Sequence, residues 1–225
     1  MFDELEINIK RNARKTLSIY VERDGSISVL APKGLRKRKI DEILKQKEYQ
    51  IYKYKAEWKE LNHSKKEREF ISGQSFLYLG RGYPLKVVDK LDKPLVLKEG
   101  RFFLLKSEKE NAKKHFIKFY KENGIVKIEK RVKEFKQKIG TSPGKVRIVD
   151  LQNRWASCTP EGHLNFHWKC IMAPYSVLNY IIVHELVHLI YKNHTQKFWN
   201  GVDKILPKYQ DSIEWLKTHG ASMDL

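Results

Sequence analysis

The most constraining feature of the chain is an apolar run near its C-terminal end, residues 180–190, with the sequence YIIVHELVHLI. The run is apolar on every side of a helix, which predicts a helix buried in the core, from Pro174 to about Tyr191. It is too short to span a membrane. Three polar residues interrupt it: His184, Glu185 and His188. Burying two imidazoles and a carboxylate costs free energy unless those groups are satisfied.

A metal ion would satisfy these three groups together. His184 and His188 are four residues apart, so their Cβ atoms lie about 5–6 Å apart on one helix face, and both rings can bind one Zn²⁺ at about 2.0–2.1 Å. Glu185 is turned off that direction and can reach water at the metal, which suits a general base. His194 can supply a third ligand if the chain turns back just after the helix. The sequence therefore predicts zinc on His184, His188 and His194, with Glu185 as the catalytic residue.

Other interpretations of the motif stay open at this point. The helix could be an ordinary core helix whose polar groups hydrogen-bond internally, and His194 could be a loop histidine with no role. The histidine spacing is also that of metzincins, but that class has Gly where this chain has Tyr191. Met223 lies in an expected tail and does not indicate a Met-turn, so a metzincin is disfavoured.

The spacing of apolar residues in the rest of the chain predicts an α+β protein in two parts. Residues 1–105 form a β-rich N-terminal region, with a hairpin turn at Asp24-Gly25 and one long helix over about residues 36–69. Residues 106–225 are mainly helical, with a small sheet. In that sheet we expect a strand over residues 164–168, preceded by a turn region at residues 153–162. The other expected elements are strands at 75–79, 83–88, 95–97, 101–105 and 146–151, and helices at 109–139, 196–205 and 211–219.

The chain is strongly basic, with 45 Lys and Arg against 27 Asp and Glu, a net charge of +18 and a pI near 9.7. Such a field attracts nucleic acid, an anionic membrane surface or an acidic protein. The plain alternative is that lysines only cover solvent-facing helix surfaces. Residues 49–60, YQIYKYKAEWKE, could form a stacking surface for nucleic acid. We expect instead that the aromatic residues of this segment face the core, with one face made of Ile51, Tyr54, Trp58 and Leu61.

The cysteine content and the N-terminal sequence bear on the compartment. Cys158 and Cys170 are the two cysteines, too few for the disulfide framework of a secreted protein of this length. The first 15 residues, MFDELEINIKRNARK, are charged and contain no apolar segment typical of a signal peptide. We therefore expect a cytoplasmic protein with reduced thiols and no membrane association.

Several segments carry a resemblance to a known family. They are RWASC at residues 154–158, NFHWKCIMAP at 165–174, HELVHLIYKNHTQKFW at 184–199, LPKY at 206–209 and FLYLGRGYPLKV at 76–87. In these segments the chain resembles the YgjP-like predicted metal-dependent hydrolases, relatives of the SprT/Spartan and WLM zinc proteases. The resemblance implies a compact zincin-like metallopeptidase domain against which the N-terminal region packs. It also implies zinc on His184, His188 and His194, and a catalytic Glu185. One departure is His167, where the family's strand has Asn.

These observations predict a zinc metallopeptidase of the HExxH type that acts on a protein or peptide substrate. Arg154, His167 and Tyr209 are candidates for stabilising the oxyanion or contacting substrate, and the strand at residues 164–168 could pair with an extended peptide. The charge and the SprT-like relatives suggest substrates associated with DNA. Two alternatives remain: a basic nucleic-acid-binding module with structural zinc, and a zinc hydrolase of a non-peptide amide. The oligomeric state is open.

Overall fold

The computed structural model describes residues 7–21, 26–53, 68–151 and 154–225, and it confirms a mixed α+β fold. The chain forms two compact units, Met1–Lys66 and Glu67–Leu225. The expected division near residue 106 falls inside the second unit. The physical reason is a shared core: Phe76 and Phe102, from strands before that point, pack on Phe116 in the helix after it, with ring centroids 4.2 Å and 4.9 Å apart.

The first unit is a three-stranded sheet with a helix. Strands β1 (Ile7–Asn12), β2 (Ser18–Val21) and β3 (Ile27–Pro32) lie in the order β1-β3-β2. The strands β2 and β3 pair antiparallel as predicted, and their turn at Asp24-Gly25 lies outside the described residues. Helix α1 spans Lys37–Gln46, and residues 48–53 are again helical.

The aromatic residues of this helical segment do not lie as predicted. The core of the unit is formed by Ile27, Val29, Ala31, Ile40, Leu44 and Ile51. Ile51 is therefore buried as expected, but Tyr49 and Tyr52 are 81% and 43% exposed, so the prediction that these aromatics face the core is wrong. The periodicity of the three buried helix residues turns both tyrosines outward. Tyr54, Trp58 and Leu61 lie outside the described residues.

The second unit begins with a four-stranded sheet. Strands β4 (Ser75–Tyr78), β5 (Arg81–Val88), β6 (Leu95–Lys98) and β7 (Arg101–Leu105) lie in the order β4-β5-β7-β6. A 3-10 turn at Lys106–Asn111 leads into helix α2, Ala112–Ile139. That helix ends at Gly140, whose left-handed φ of 75° supplies the stop that the sequence indicates.

A second, smaller sheet follows and lies closest to the predicted site. It contains β8 (Val146–Val149), β9 (Ala156–Cys158) and β10 (Leu164–His167) in the order β8-β10-β9. Residues 156–158 were expected in a turn region and instead form a strand. The strand predicted to accept a peptide, β10, is paired on both sides, so it has no free edge; β9 is an edge strand.

Helices complete the second unit. After a 3-10 turn at Trp168–Met172 come α3 (Tyr175–Val187), α4 (Gln196–Ile205) and α5 (Tyr209–His219), followed by a 3-10 turn at Gly220–Ser222. Helix α3 ends four residues earlier than the predicted Tyr191. In the part of the chain that the structure describes, no helix is both long and apolar enough to cross a membrane.

Candidate metal centre

Helix α3 carries the predicted site into the core of the second unit. Its start follows Pro174, whose carbonyl accepts the Leu178 N–H at 2.9 Å. The helix is buried on almost all sides, through Val177, Leu178, Tyr180, Ile181, Ile182, Val183, Leu186 and Val187. The apolar run therefore forms the fully buried helix that its pattern predicts, and its polar residues lie in that interior.

The two helix histidines keep helical spacing although the helix ends between them. His188 is the first residue after α3, but its φ of −62° and ψ of −20° are helical. Its N–H donates to the His184 carbonyl at 3.3 Å. The two rings therefore lie on one face, with centroids 4.9 Å apart.

His194 comes back to the same point from the following turn. The Tyr191 N–H donates to the Val187 carbonyl at 2.9 Å, which turns the chain directly after the helix. The His194 Nε2 atom lies 2.9 Å from the His184 Nε2 atom. One ring nitrogen from each of the three histidines lies within 4.8 Å of the others, and within the described residues they form the one group of three or more metal-ligating side chains.

Hydrogen bonds and burial prepare these rings as metal ligands. The His188 Nδ1 atom lies 3.1 Å from the Tyr191 carbonyl, which can only accept, so Nδ1 carries the proton and Nε2 keeps its lone pair. The Tyr180 hydroxyl lies 3.5 Å from the His184 Nδ1 atom. Burial, followed by the charges of His188 and His194, lowers the pKa of His184 to about 3. Burial also lowers the pKa of His188 and of His194, which favours the neutral imidazole, the form that binds metal.

Glu185, the residue directly after His184, is a buried carboxylate with 6% of its surface exposed. It accepts a hydrogen bond from the backbone N–H of Cys158 in the edge strand β9. Burial raises the pKa of Glu185 to about 7, although the Arg154 charge and the Cys158 N–H act in the opposite direction. A carboxylate with a pKa near neutrality is suited to accepting and returning a proton.

The structure places Arg154 close enough to Glu185 to act on its charge. It separates Tyr209 from His194 by one ring, that of Trp199. Tyr209 stacks on Trp199 at 5.5 Å and on Tyr180 at 6.3 Å, and Trp199 stacks on His194 at 5.6 Å. We call Tyr180, Tyr209, Trp199 and His194 the ring column. Sequence reasoning did not find the roles of Tyr180 and Trp199, although Tyr180 precedes His184 by four residues and so shares its helix face.

His167 lies among other contacts, outside the three-histidine group. Its Nδ1 atom accepts the Lys169 N–H at 3.0 Å, and its Nε2 atom lies 3.4 Å from an Asp150 carboxylate oxygen. The residue is 8% exposed and lines a cavity of about 490 Å³ together with Trp168. These contacts orient the His167 ring toward Asp150.

Comparison with known proteins bears on the family to which the chain belongs. The sequence model of the YgjP-like metallopeptidase domain matches residues 15–219. The metallopeptidase zymogen of Pyrococcus abyssi abylysin is 26% identical over 40% of this chain and 92% of its own, with a TM-score of 0.39, which adds nothing about the fold. No curated protein sequence matches. Because the family match spans nearly the whole chain, the chain belongs to the YgjP-like metallopeptidase family and is a metal-dependent peptidase.

Proposed function

We propose that the protein is a zinc-dependent peptidase in which His184, His188 and His194 hold the metal and Glu185 is the general base. The observation that supports this best is the convergence of three imidazoles at the end of a buried helix that also carries a buried carboxylate. Three nitrogen donors fit zinc, and a set of three leaves a position open for water and substrate, as catalytic sites require.

The residues of the chain have separate parts in the proposed reaction. When bound, zinc supplies Lewis acidity, which makes water more acidic and polarises a carbonyl oxygen. Glu185 accepts the proton of the attacking water and returns it to the leaving amine. Arg154, whose charge acts at Glu185, is the donor that we propose for the oxyanion. Tyr209 acts by stacking on Trp199, which in turn stacks on His194, or by contact with the substrate.

The edge strand β9 is the proposed binding site for the peptide backbone. Thr159 donates its N–H to the His163 carbonyl at 2.9 Å, and Trp155 accepts the His167 N–H at 2.7 Å. Because hydrogen-bonded residues alternate in an antiparallel pair, the backbone groups of Ala156 and Cys158 point away from β10. The Cys158 N–H on this outer side reaches Glu185. An extended peptide paired with the outer edge would therefore lie beside the proposed base.

Backbone pairing makes a prediction about N-methylated substrates. In a cleaved peptide, N-methylation should slow cleavage strongly at alternate positions, since only every second N–H faces the strand. A loss of about tenfold is expected at each such position, from removal of one backbone hydrogen bond and the added methyl group. Cleavage rates of a set of singly methylated peptides, measured by mass spectrometry, test this. Equal tolerance at all positions would remove β9 from the proposal.

The proposed function itself is tested by metal removal and replacement. The purified full chain should cleave members of a peptide library, lose more than about 99% of that activity after chelation, and regain it with one equivalent of zinc. Magnesium, which prefers oxygen ligands, is the matched control and should restore nothing. Cleavage that survives complete metal removal would contradict the proposal.

The same experiment separates the alternatives. Zinc binding with hydrolysis of small amides and no peptide cleavage would indicate a non-peptide amide hydrolase. Zinc binding with no hydrolysis would indicate a structural site, which normally has four protein ligands rather than three. The net charge of +18 supports a further part of the proposal, that the protein substrates are associated with nucleic acid.

A further inference from the structure

The first unit is unusually basic for its size. Its described residues, 7–21 and 26–53, contain twelve Lys and Arg against three Asp and Glu. All twelve cations except Arg14 are exposed. Solvation of a surface does not need such an excess of positive charge. The excess instead destabilises the folded unit, because the like charges repel one another.

Several of these cations occupy a position that works against the stability of α1. Its first turn contains no acidic residue, and its N-cap, Arg36, makes no capping hydrogen bond. Three cations, Lys37, Arg38 and Lys39, follow directly. The N-terminal end of a helix carries partial positive charge, so cations there are unfavourable. The arrangement is therefore not explained by the folding of the helix.

The burial pattern defines which face of this segment is free of the unit's own core. Ile40, Leu44 and Ile51 are buried, and their spacing places them on one helix face. Helical hydrogen bonds lie on both sides of Lys47, from its N–H to the Ile43 carbonyl at 3.1 Å and from the Ile51 N–H to its own carbonyl at 2.9 Å. The opposite side, which we call the basic face, consists of Arg38, Lys39, Lys45, Tyr49, Tyr52 and Lys53.

The two tyrosines on the basic face are its second distinctive feature. Tyr49 and Tyr52 are exposed and three residues apart, so their rings are neighbours on the helix surface. The segment also contains three carboxylates, Asp41, Glu42 and Glu48, of which Glu42 pairs with Arg38 at 3.5 Å and with Lys39 at 3.0 Å. Pairs this exposed contribute little, so Glu42 does not remove the cationic character of the face.

Cations next to exposed aromatic rings are the features that bind single-stranded nucleic acid, since phosphates need positive charge and unpaired bases stack on aromatic rings. An anionic membrane would need an apolar face for insertion. Two of the three apolar residues of α1, Ile40 and Leu44, are already buried in the unit's own core, and the third, Ile43, is half-buried. We propose that the basic face binds single-stranded nucleic acid, with Arg38, Lys39 and Lys45 at phosphates and Tyr49 and Tyr52 stacked on bases. This names a partner for the proposed function, but its test has no peptidase readout, so either proposal can fail alone.

Fluorescence anisotropy of the full chain with a labelled DNA strand of about 20 nucleotides tests the proposal. Binding should weaken steeply between about 50 and 200 mM salt. The triple variant Arg38→Glu, Lys39→Glu, Lys45→Glu should bind at least about tenfold more weakly, with a salt slope shallower by about 2 because three phosphate contacts are lost. The matched control reverses three exposed lysines of α2, Lys118, Lys130 and Lys133, and should bind nearly as the wild type does.

A second variant keeps the test independent of the charge changes. Tyr49→Ala with Tyr52→Ala removes two exposed rings, and it should weaken binding about tenfold or more while the salt slope stays unchanged. The proposal is overturned if the wild-type chain does not bind, if both triple variants lose affinity equally, or if the tyrosine variant binds as tightly as the wild type. Preference for vesicles containing phosphatidylserine over the DNA strand would overturn it in favour of a membrane.

Discussion

Replacement of Glu185 by Gln should abolish peptide cleavage while leaving the fold and the bound metal intact. A glutamine has the same shape and keeps an oxygen that can accept the Cys158 N–H, but it cannot take a proton from water. We expect kcat to fall by about a thousandfold, within the range that a general base contributes. Because a neutral amide is less costly to bury than a carboxylate, the melting temperature should not fall.

The measurement is kcat for one identified peptide, with zinc content determined on the same samples. Glu122→Gln, at an exposed position on α2, is the matched control and should retain full activity. Retention of wild-type turnover by the Glu185→Gln enzyme, with normal zinc content, would show that another group is the base.

Replacement of His188 by Ala should remove the metal. The variant loses one of three ligands, and substitutions of groups that merely orient a ligand already weaken metal binding by about 10–100-fold. We therefore expect the zinc affinity to fall by more than about a hundredfold. Zinc per chain, measured by mass spectrometry after gel filtration, should drop from about one to near zero, and peptide cleavage should disappear with it.

A thermal measurement distinguishes loss of metal from loss of fold. A ligand that binds the folded state raises the melting temperature, so added zinc should stabilise the wild-type chain and leave the His188→Ala variant unaffected. His219→Ala, which removes an exposed histidine that stacks on Trp215, should behave as the wild type does. If the His188→Ala protein still retains about one zinc per chain, the ligand assignment is wrong.

The parts of this protein that could be predicted from sequence are those defined over short stretches. The buried helix and the convergence of His184 with His188 follow from spacing within one helical segment, and His194 needs only a tight turn. The strand β9 was missed because three residues carry no usable alternation, and its role as an edge depends on pairing with β10. The ring column joins residues from three helices and their connections, which no local pattern indicates.

Two other differences have the same kind of cause. Hydrophobicity alone assigned Tyr49 and Tyr52 to the core, whereas the phase of the helix is determined by Ile40, Leu44 and Ile51. The composition of the chain changes near residue 106. The two compact units do not divide there, because Phe76 and Phe102, which precede residue 106, pack on Phe116, which follows it.

The ring column has a consequence for how tightly an exposed loop residue can bind metal. His194 lies on a turn after α3, where a free side chain would sample several rotamers and would lose that entropy on coordination. Trp199 stacks on its ring, and Tyr209 stacks in turn on Trp199. The ring of His194, the proposed third ligand, is thus largely ordered before any ion arrives. A site assembled partly from a loop can then have the affinity of one built on rigid elements, because the entropy of arranging it was lost during folding.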